Sequence, residues 1–164
     1  MNPGRKNLLF WLIAIFILVV DQISKYLISI NVGYHQVIVL INNVLEITYI
    51  INNGAAFSLL RGQRWFFVVA TTVVFMLIIC LHKYIAKQDT VFHIALALFC
   101  GGAAGNFIDR LRFGGVIDFV DMQIWPIFNV ADSCIVIGVI IIGLKLLISE
   151  TSLTKTVNGE NKSG

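Results

Sequence analysis

The chain has 164 residues, of which 58% are hydrophobic and 13% are charged. Its mean hydropathy of +0.87 is too high for a soluble domain of this size, so we expect a membrane protein. The net charge is only +3, and the basic residues are scattered along the chain. Nucleic acid is therefore not expected as a partner, because its recognition needs a concentrated basic face.

The first apolar run predicts a transmembrane helix at about 8–30. The run has no small-residue cleavage site, so we expect this helix to be retained rather than removed as a secretory signal peptide. Asp21 and Lys25 lie one helical turn apart on one of its faces. We expect the two charges to neutralise each other and to tie the helix to loops near a functional site.

The region at about 36–60 is not a membrane span, because polar residues interrupt each of its apolar runs. Alternating apolar and polar residues in LEITYI, at 45–50, are typical of a β-strand, and Asn42-Asn43 marks a turn before it. We expect a small sheet with one apolar face. The sheet is followed by NNGAAFS at 52–58, whose small residues suit either tight packing or the binding of an extended peptide.

Two further uncharged runs predict the second and third membrane helices, at about 65–82 and 91–109. The third run contains the sequence GGAAG. Gly101 and Gly105 are four residues apart in it, a small-xxx-small pattern that is typical of closely packed membrane helices.

Polar residues gather between the third apolar run and the fourth, which predicts a helix at about 132–149. Ionisable side chains near hydrocarbon depth are costly, so by default they mark a functional site. These residues are Asn106, Asp109, Arg110, Arg112, Asp118, Asp121, Asn129 and Asp132. Ion pairing explains Asp109 and Arg110, and capping of the fourth helix explains Asp132. Neither explains why so many polar groups meet at one membrane level.

Two aspartates that approach a shared water can perform acid/base chemistry. Repulsion between the like charges raises one pKa, so one carboxyl stays protonated while the other is ionised. The ionised group accepts a proton from the attacking water and the protonated group polarises the substrate carbonyl, as in aspartic proteases. We expect two carboxylates from separate helix ends to act in this way. Spacing alone does not separate Asp118 from Asp121 as one of them.

Other site chemistries have less support. No Ser/His or Cys/His pair is well placed for nucleophilic catalysis, and the His and Cys residues lack metal-ligand spacing. We therefore expect no metal and no cofactor.

Five motifs, in the order DQISK, NNGAAFS, GGAAGNFIDR, VIDF and FNVADS, resemble the lipoprotein signal peptidase (signal peptidase II) family. The resemblance covers nearly all of residues 8–150. It implies a bacterial inner-membrane aspartic endopeptidase that removes the signal peptide of prolipoproteins just before a diacylglyceryl-modified cysteine. The implied partners are that lipidated substrate and membrane lipids, and the implied inhibitor is globomycin.

The resemblance also implies roles for individual residues. It makes Asp118 and Asp132 the catalytic pair and decides against Asp121. It places a second group where the site contacts substrate or inhibitor: Asn52, Gly54, Asn106, Arg110 and Asn129. A third group is supporting: Asp21, Lys25 and Asp109.

The expected fold is an all-α membrane protein with four transmembrane helices and a small extracytoplasmic β-sheet between the first two. One peptidase domain covers residues 1–150, and a polar cytoplasmic tail covers 151–164. Four spans place both termini on one side, and the excess of lysine there makes that side cytoplasmic. The sheet and the aspartate pair are then expected at the extracytoplasmic face.

Two other functions are compatible with acidic residues in a membrane. One is a proton-coupled transporter with Asp118 and Asp132 as a relay, but these acids cluster at one face and the chain shows no internal repeat. The other is a lipid-headgroup transferase whose aspartates hold Mg²⁺. A chelator would inhibit the transferase and would leave an aspartic protease active.

Overall fold

The computed structural model of the protein describes residues 1–54 and 59–160, and only the backbone of 149–160. In these residues the elements are α1 (Pro3–Asn31), β1 (Val37–Ile41), β2 (Leu45–Asn52), α2 (Arg64–Cys80), α3 (His82–Ile85), α4 (Thr90–Phe113), β3 (Val116–Asp121) and α5 (Val130–Glu160). The fold is therefore mostly helical with a small sheet, as expected.

Three of the described helices are long and apolar enough to cross a membrane: α1, α4 and the Val130–Ile148 part of α5. The remaining long helix, α2, has 17 residues and is apolar but shorter. Many large apolar side chains on these helices are exposed, among them Phe16, Ile79 and Leu147. Such an exposed apolar surface is what a lipid environment requires, and the expectation of a multi-pass membrane protein is confirmed.

Helix α4 is the centre of the bundle, because glycines on it let α1 and α5 approach its backbone. A Cβ atom added to Gly101 would lie 2.7 Å from the carbonyl oxygen of Ala14 in α1. A Cβ atom added to Gly102 would lie 2.5 Å from the carbonyl oxygen of Ala131 in α5. The predicted packing of α4 through small residues is confirmed, and it involves Gly102 as well as the predicted pair.

We expect Gly102→Ala to destabilise the protein by about 1–3 kcal/mol, because the added methyl group must push α5 away from α4. Gly143→Ala is the matched control, since a Cβ atom at Gly143 meets nothing within 4 Å. Thermal unfolding in the same detergent compares the two variants. Equal melting temperatures for both would show that the helices are not in close contact at Gly102.

The sheet has the strand order β1-β2-β3, and both pairs of strands are antiparallel. β3 follows α4 after a turn at Gly114, whose φ of 77° is in the left-handed region that glycine tolerates. In the β2–β3 register, Ile50 lies opposite Asp118, and Asn52 lies opposite Val116. The third strand therefore attaches the sheet directly to the central helix.

The position of Asp118 on β3 corrects the expectation that both candidate acids come from helix ends. The four residues 116–119 are all buried, including Asp118. A strand that is covered on both faces does not show the alternation of apolar and polar residues by which a half-exposed strand is recognised. VIDFVD for that reason did not indicate a strand.

At the other end of α4, Asp89 caps the helix and also binds α5. Its side chain accepts a hydrogen bond of 2.9 Å from the N–H of Phe92 and forms an ion pair with Lys145. The Lys145 ammonium and the Phe92 N–H hold the pKa of Asp89 below its usual value. This partly exposed ion pair joins the N-terminal end of α4 to α5. Neither of its residues belongs to β3 or to the first turn of α5.

Candidate active site

Asp118 and Asp132 line one cavity of about 190 Å³. Asp118 comes from β3, and Asp132 comes from the first turn of α5. The cavity is completed by Asn52 and Gly54 from β2 and its following turn, and by Arg110 from α4. The structure thus brings together residues from four elements that are up to 80 positions apart in sequence.

Asn129 connects the two acids. It is fully buried, and its Nδ2 donates a hydrogen bond of 2.7 Å to Oδ1 of Asp118. Its Oδ1 accepts one of 2.8 Å from the N–H of Asp132, and its own N–H donates to Oδ2 of Asp132 at 3.3 Å. This reciprocal arrangement is a capping box, in which Asn129 is the N-cap and Asp132 is the third residue of the helix. The expectation that Asp132 is itself the N-cap is therefore wrong, because α5 begins at Val130.

Two further asparagines bind the remaining carboxylate oxygens. Asn52 Nδ2 donates to Oδ2 of Asp118 at 2.9 Å, and Asn52 Oδ1 accepts from the N–H of Gly54 at 3.0 Å. Asn106 Nδ2 donates to Oδ1 of Asp132 at 2.8 Å. Each carboxyl group consequently has both oxygens held in place, with its orientation fixed toward the shared cavity.

The electrostatic environment favours a proton on Asp118. Burial of its carboxyl group raises its pKa to about 7, and the charge of Asp132 acts in the same direction. The hydrogen bonds from Asn52 and Asn129 lower the pKa of Asp118 and oppose these effects only in part. Near neutral pH this carboxyl is therefore present in both its protonated and its ionised form.

Arg110 supplies positive charge to the cavity wall. Its guanidinium lies 4.6 Å from the ring centroid of Phe67 in α2, and its Nη1 donates to the carbonyl oxygen of Asn106 at 3.4 Å. Trp125 and Pro126 also line the cavity. The segment between β3 and α5 is thus long enough for Trp125 to reach the cavity.

Asp21 and Lys25 are joined by a third charged residue, Asp109. Lys25 Nζ lies 2.9 Å from Oδ2 of Asp21 and 2.8 Å from Oδ2 of Asp109, and it donates to Oδ1 of Asn106 at 2.9 Å. All three charged side chains are buried. The expected ion pair between Asp21 and Lys25 is present, and Asp109 is part of the same network.

Gln22 is also a member of this network, although no sequence pattern indicated it as a site residue. Its Nε2 donates to Oδ1 of Asp109 at 3.0 Å and to Oδ2 of Asp21 at 3.2 Å. Its position inside an apolar helix could have indicated it, because a polar side chain there requires a hydrogen-bond partner.

Asp121 and Arg112 do not line the cavity that contains Asp118. Asp121 lies opposite Glu46 in the sheet, and its Oδ1 accepts a hydrogen bond from the N–H of Gln123. Arg112 lies over the ring of Phe113. Residues 55–58 of the NNGAAFS motif fall outside the described residues, so the structure places only its first three residues.

A larger cavity of about 620 Å³ lies between α1, α2, α3 and α4 and is almost wholly apolar, with Trp11 and Ile79 in its wall. None of the candidate catalytic, substrate-binding or supporting residues lines it. Within the parts of the chain that the structure describes, no group of three or more His, Cys, Asp or Glu side chains has the arrangement of a metal site.

Comparison with known proteins gives consistent matches over most of the chain. The family model for signal peptidase (SPase) II matches residues 13–148. The lipoprotein signal peptidase of Moorella thermoacetica is 44% identical over 139 residues, which cover 85% of this chain and 93% of that protein. The lipoprotein signal peptidase of Halalkalibacterium halodurans is 41% identical over 155 residues, which cover 92% and 99%.

Solved structures give the same result. Two structures of bacterial membrane enzymes have TM-scores of 0.79 and 0.76 and are 37% and 38% identical in sequence. The first match covers 87% of this chain and 90% of the other, and the second covers 84% and 92%. The family match includes every motif that carried the resemblance, from DQISK to FNVADS. The chain therefore belongs to the signal peptidase II family.

Proposed function

We propose that this protein is an aspartic endopeptidase that removes the signal peptide of diacylglyceryl-modified prolipoproteins, on the N-terminal side of the lipidated cysteine. Membership of the signal peptidase II family supports the substrate class. One observation carries the mechanism: Asp118 and Asp132 are held by Asn129 at one cavity. Their shared hydrogen-bond partner and shared cavity favour two acids acting on one water rather than two independent ion pairs.

In the proposed mechanism the pair holds one proton. Asp118, whose pKa burial raises to about 7, carries this proton and donates it to the oxygen of the scissile carbonyl. Asp132 is ionised and accepts a proton from the water whose oxygen bonds to the carbonyl carbon. When the C–N bond breaks, the leaving nitrogen receives the proton from Asp132 and Asp118 recovers its own. No covalent intermediate is required.

The other residues of the cavity are proposed to bind the substrate. Asn52 and Gly54 lie at the end of a strand, where an extended peptide backbone would meet their polar groups. Arg110 and Asn129 are proposed to orient the chain around the scissile bond, and Asn106 to support Asp132. Globomycin is proposed to inhibit the enzyme by occupying the same cavity.

We propose that α2 is the fourth span, which places both termini in the cytoplasm and the sheet at the outer face of the bacterial inner membrane. Its 17 residues would extend roughly 26 Å, close to the ~30 Å hydrocarbon core. The acyl chains of the substrate cysteine stay in the outer leaflet. The scissile bond then lies at the membrane surface, where Asp118 and Asp132 are proposed to be.

The reaction is expected to have a bell-shaped pH dependence. Activity should fall at low pH, where the base becomes protonated, and should fall again as the pH rises through about 7, where Asp118 loses its proton. Measurement of kcat/KM across the range from about pH 4 to 9 in nanodiscs tests this. A flat profile with chemistry as the slow step would contradict a singly protonated pair.

Cleavage of a synthetic lipidated prolipoprotein peptide, with and without EDTA, tests the proposed function. We expect full cleavage in the chelator, inhibition by globomycin, and little cleavage of the same peptide without its diacylglyceryl group. Loss of activity in EDTA that Mg²⁺ restores would favour the metal-dependent transferase. Absence of any cleavage, with proton flux across the membrane of liposomes that contain the protein, would favour the transporter.

A further inference from the structure

Each candidate catalytic aspartate is preceded by a residue whose backbone N–H binds a buried carboxylate. The N–H of Ile117, before Asp118, donates to Oδ2 of Asp109 at 3.2 Å. The N–H of Ala131, before Asp132, donates to Oδ1 of Asp21 at 3.0 Å. The backbone before each acid of the pair is thus held by a hydrogen bond to another carboxylate.

These two supporting carboxylates are held together by side chains from α1. Lys25 Nζ lies within 2.9 Å of a carboxylate oxygen of each. Gln22 Nε2 donates a hydrogen bond to Asp21 at 3.2 Å and one to Asp109 at 3.0 Å. A buried ammonium between two carboxylates offers few alternative arrangements, because any separation leaves a charge without a partner. The distance between Asp21 and Asp109 is therefore fixed.

Lys25 also determines the orientation of Asn106. An ammonium has only hydrogen-bond donors, so the side-chain atom of Asn106 that faces it must be the oxygen. The amide nitrogen of Asn106 then points to Asp132, to which it donates at 2.8 Å. With the amide reversed, an oxygen would face the carboxylate and the two groups would repel each other.

We propose, on the basis of the function proposed above, that Gln22 and Lys25 are positioning residues that set the separation and orientation of Asp118 and Asp132. They act through Asp21 and Asp109, which hold the backbone before each acid, and through Asn106. Simple charge neutralisation would explain the ion pairs of Lys25. It would not explain why an oxygen of each carboxylate binds the residue next to a member of the pair.

Gln22→Met is the first test, because it removes the hydrogen bonds to both carboxylates while keeping side-chain size and charge. We expect kcat per folded enzyme to fall about 10-fold, since small displacements of catalytic groups are costly. KM should change by no more than about twofold, because misplaced catalytic groups weaken the stabilisation of the transition state and not the binding of the substrate. A purely structural role would lower the melting temperature and leave kcat unchanged.

The double variant Lys25→Met/Asp109→Asn is the second test. It removes one positive and one negative charge, so the net charge of the network is unchanged while the connection between its two halves is lost. We expect a folded enzyme with kcat reduced about 10- to 100-fold. Lys145→Met is the matched control, since it removes the same side-chain type from the ion pair with Asp89, and it should retain the kcat of the parent.

The outcomes separate this inference from the proposed function. If the parent enzyme cleaves the lipidated peptide and Gln22→Met has the kcat of the parent, the positioning role is wrong while the peptidase assignment stands. The same conclusion follows from a folded double variant with parental kcat. If the double variant does not fold, Gln22→Met decides alone. If the parent itself does not cleave, the proposed function fails first.

Discussion

Asp118→Asn and Asp132→Asn are each expected to reduce cleavage of a lipidated prolipoprotein by about 10²- to 10⁴-fold, the range that general acid–base groups contribute. Asparagine keeps the size of the side chain, and one of its atoms still accepts a hydrogen bond. It can neither hold the shared proton nor accept one from water. The loss should therefore appear in kcat, while the variants insert and fold.

Asp121→Asn is the matched control for these variants. It changes the same side chain on the same strand, three residues further on, at a position that does not line the cavity. We expect it to keep the activity of the parent. Product is measured by mass spectrometry of the lipidated fragment, and folding by thermal unfolding in detergent. Retained cleavage by Asp118→Asn or Asp132→Asn would remove that residue from the pair.

Lys25→Met is expected to destabilise the protein by about 3–5 kcal/mol, because it leaves Asp21 and Asp109 buried without their shared cation. All three side chains are no more than 2% exposed, so solvent screens their charges little. Asp109→Asn added to Lys25→Met should recover part of this loss, because it removes one of the two unpaired charges.

Lys145→Met serves as the control for this effect on stability. Lys145 and Asp89 are 29% and 57% exposed, and an ion pair with that much solvent contributes only about 0–1 kcal/mol. Thermal unfolding of both variants in one detergent makes the comparison. If the two lysine variants unfold at the same temperature, the buried network is not the main source of electrostatic stability.

The sequence predicted the helices better than the strand that carries the site. Long apolar runs are a sufficient signal for α1, α4 and α5, because a membrane span needs little more than length and hydrophobicity. The predicted helices were too short, since α1 begins at Pro3 and α5 extends to Glu160. β3 gave no comparable signal, because both of its faces are covered and it is only six residues long.

The polar site was only partly predictable for a different reason. Asp118 and Asp132 were selected because the motifs resemble those of a known family, whereas spacing alone also allowed Asp121. The role of Asn129 as the connection between the acids depends on hydrogen bonds between α5 and β3. The hydrogen bond of Gln22 to Asp109 joins residues 87 positions apart. Such partners are set by tertiary packing, which local sequence patterns do not contain.

The pair formed by Asp118 and Asp132 is expected to hold one proton under working conditions. Infrared spectra measure this directly, because a protonated carboxyl group absorbs separately from a carboxylate. At about pH 6, below the raised pKa of Asp118, we predict a protonated-carboxyl band in the parent enzyme that is missing from Asp118→Asn. Identical carboxyl bands in the two proteins would contradict the account.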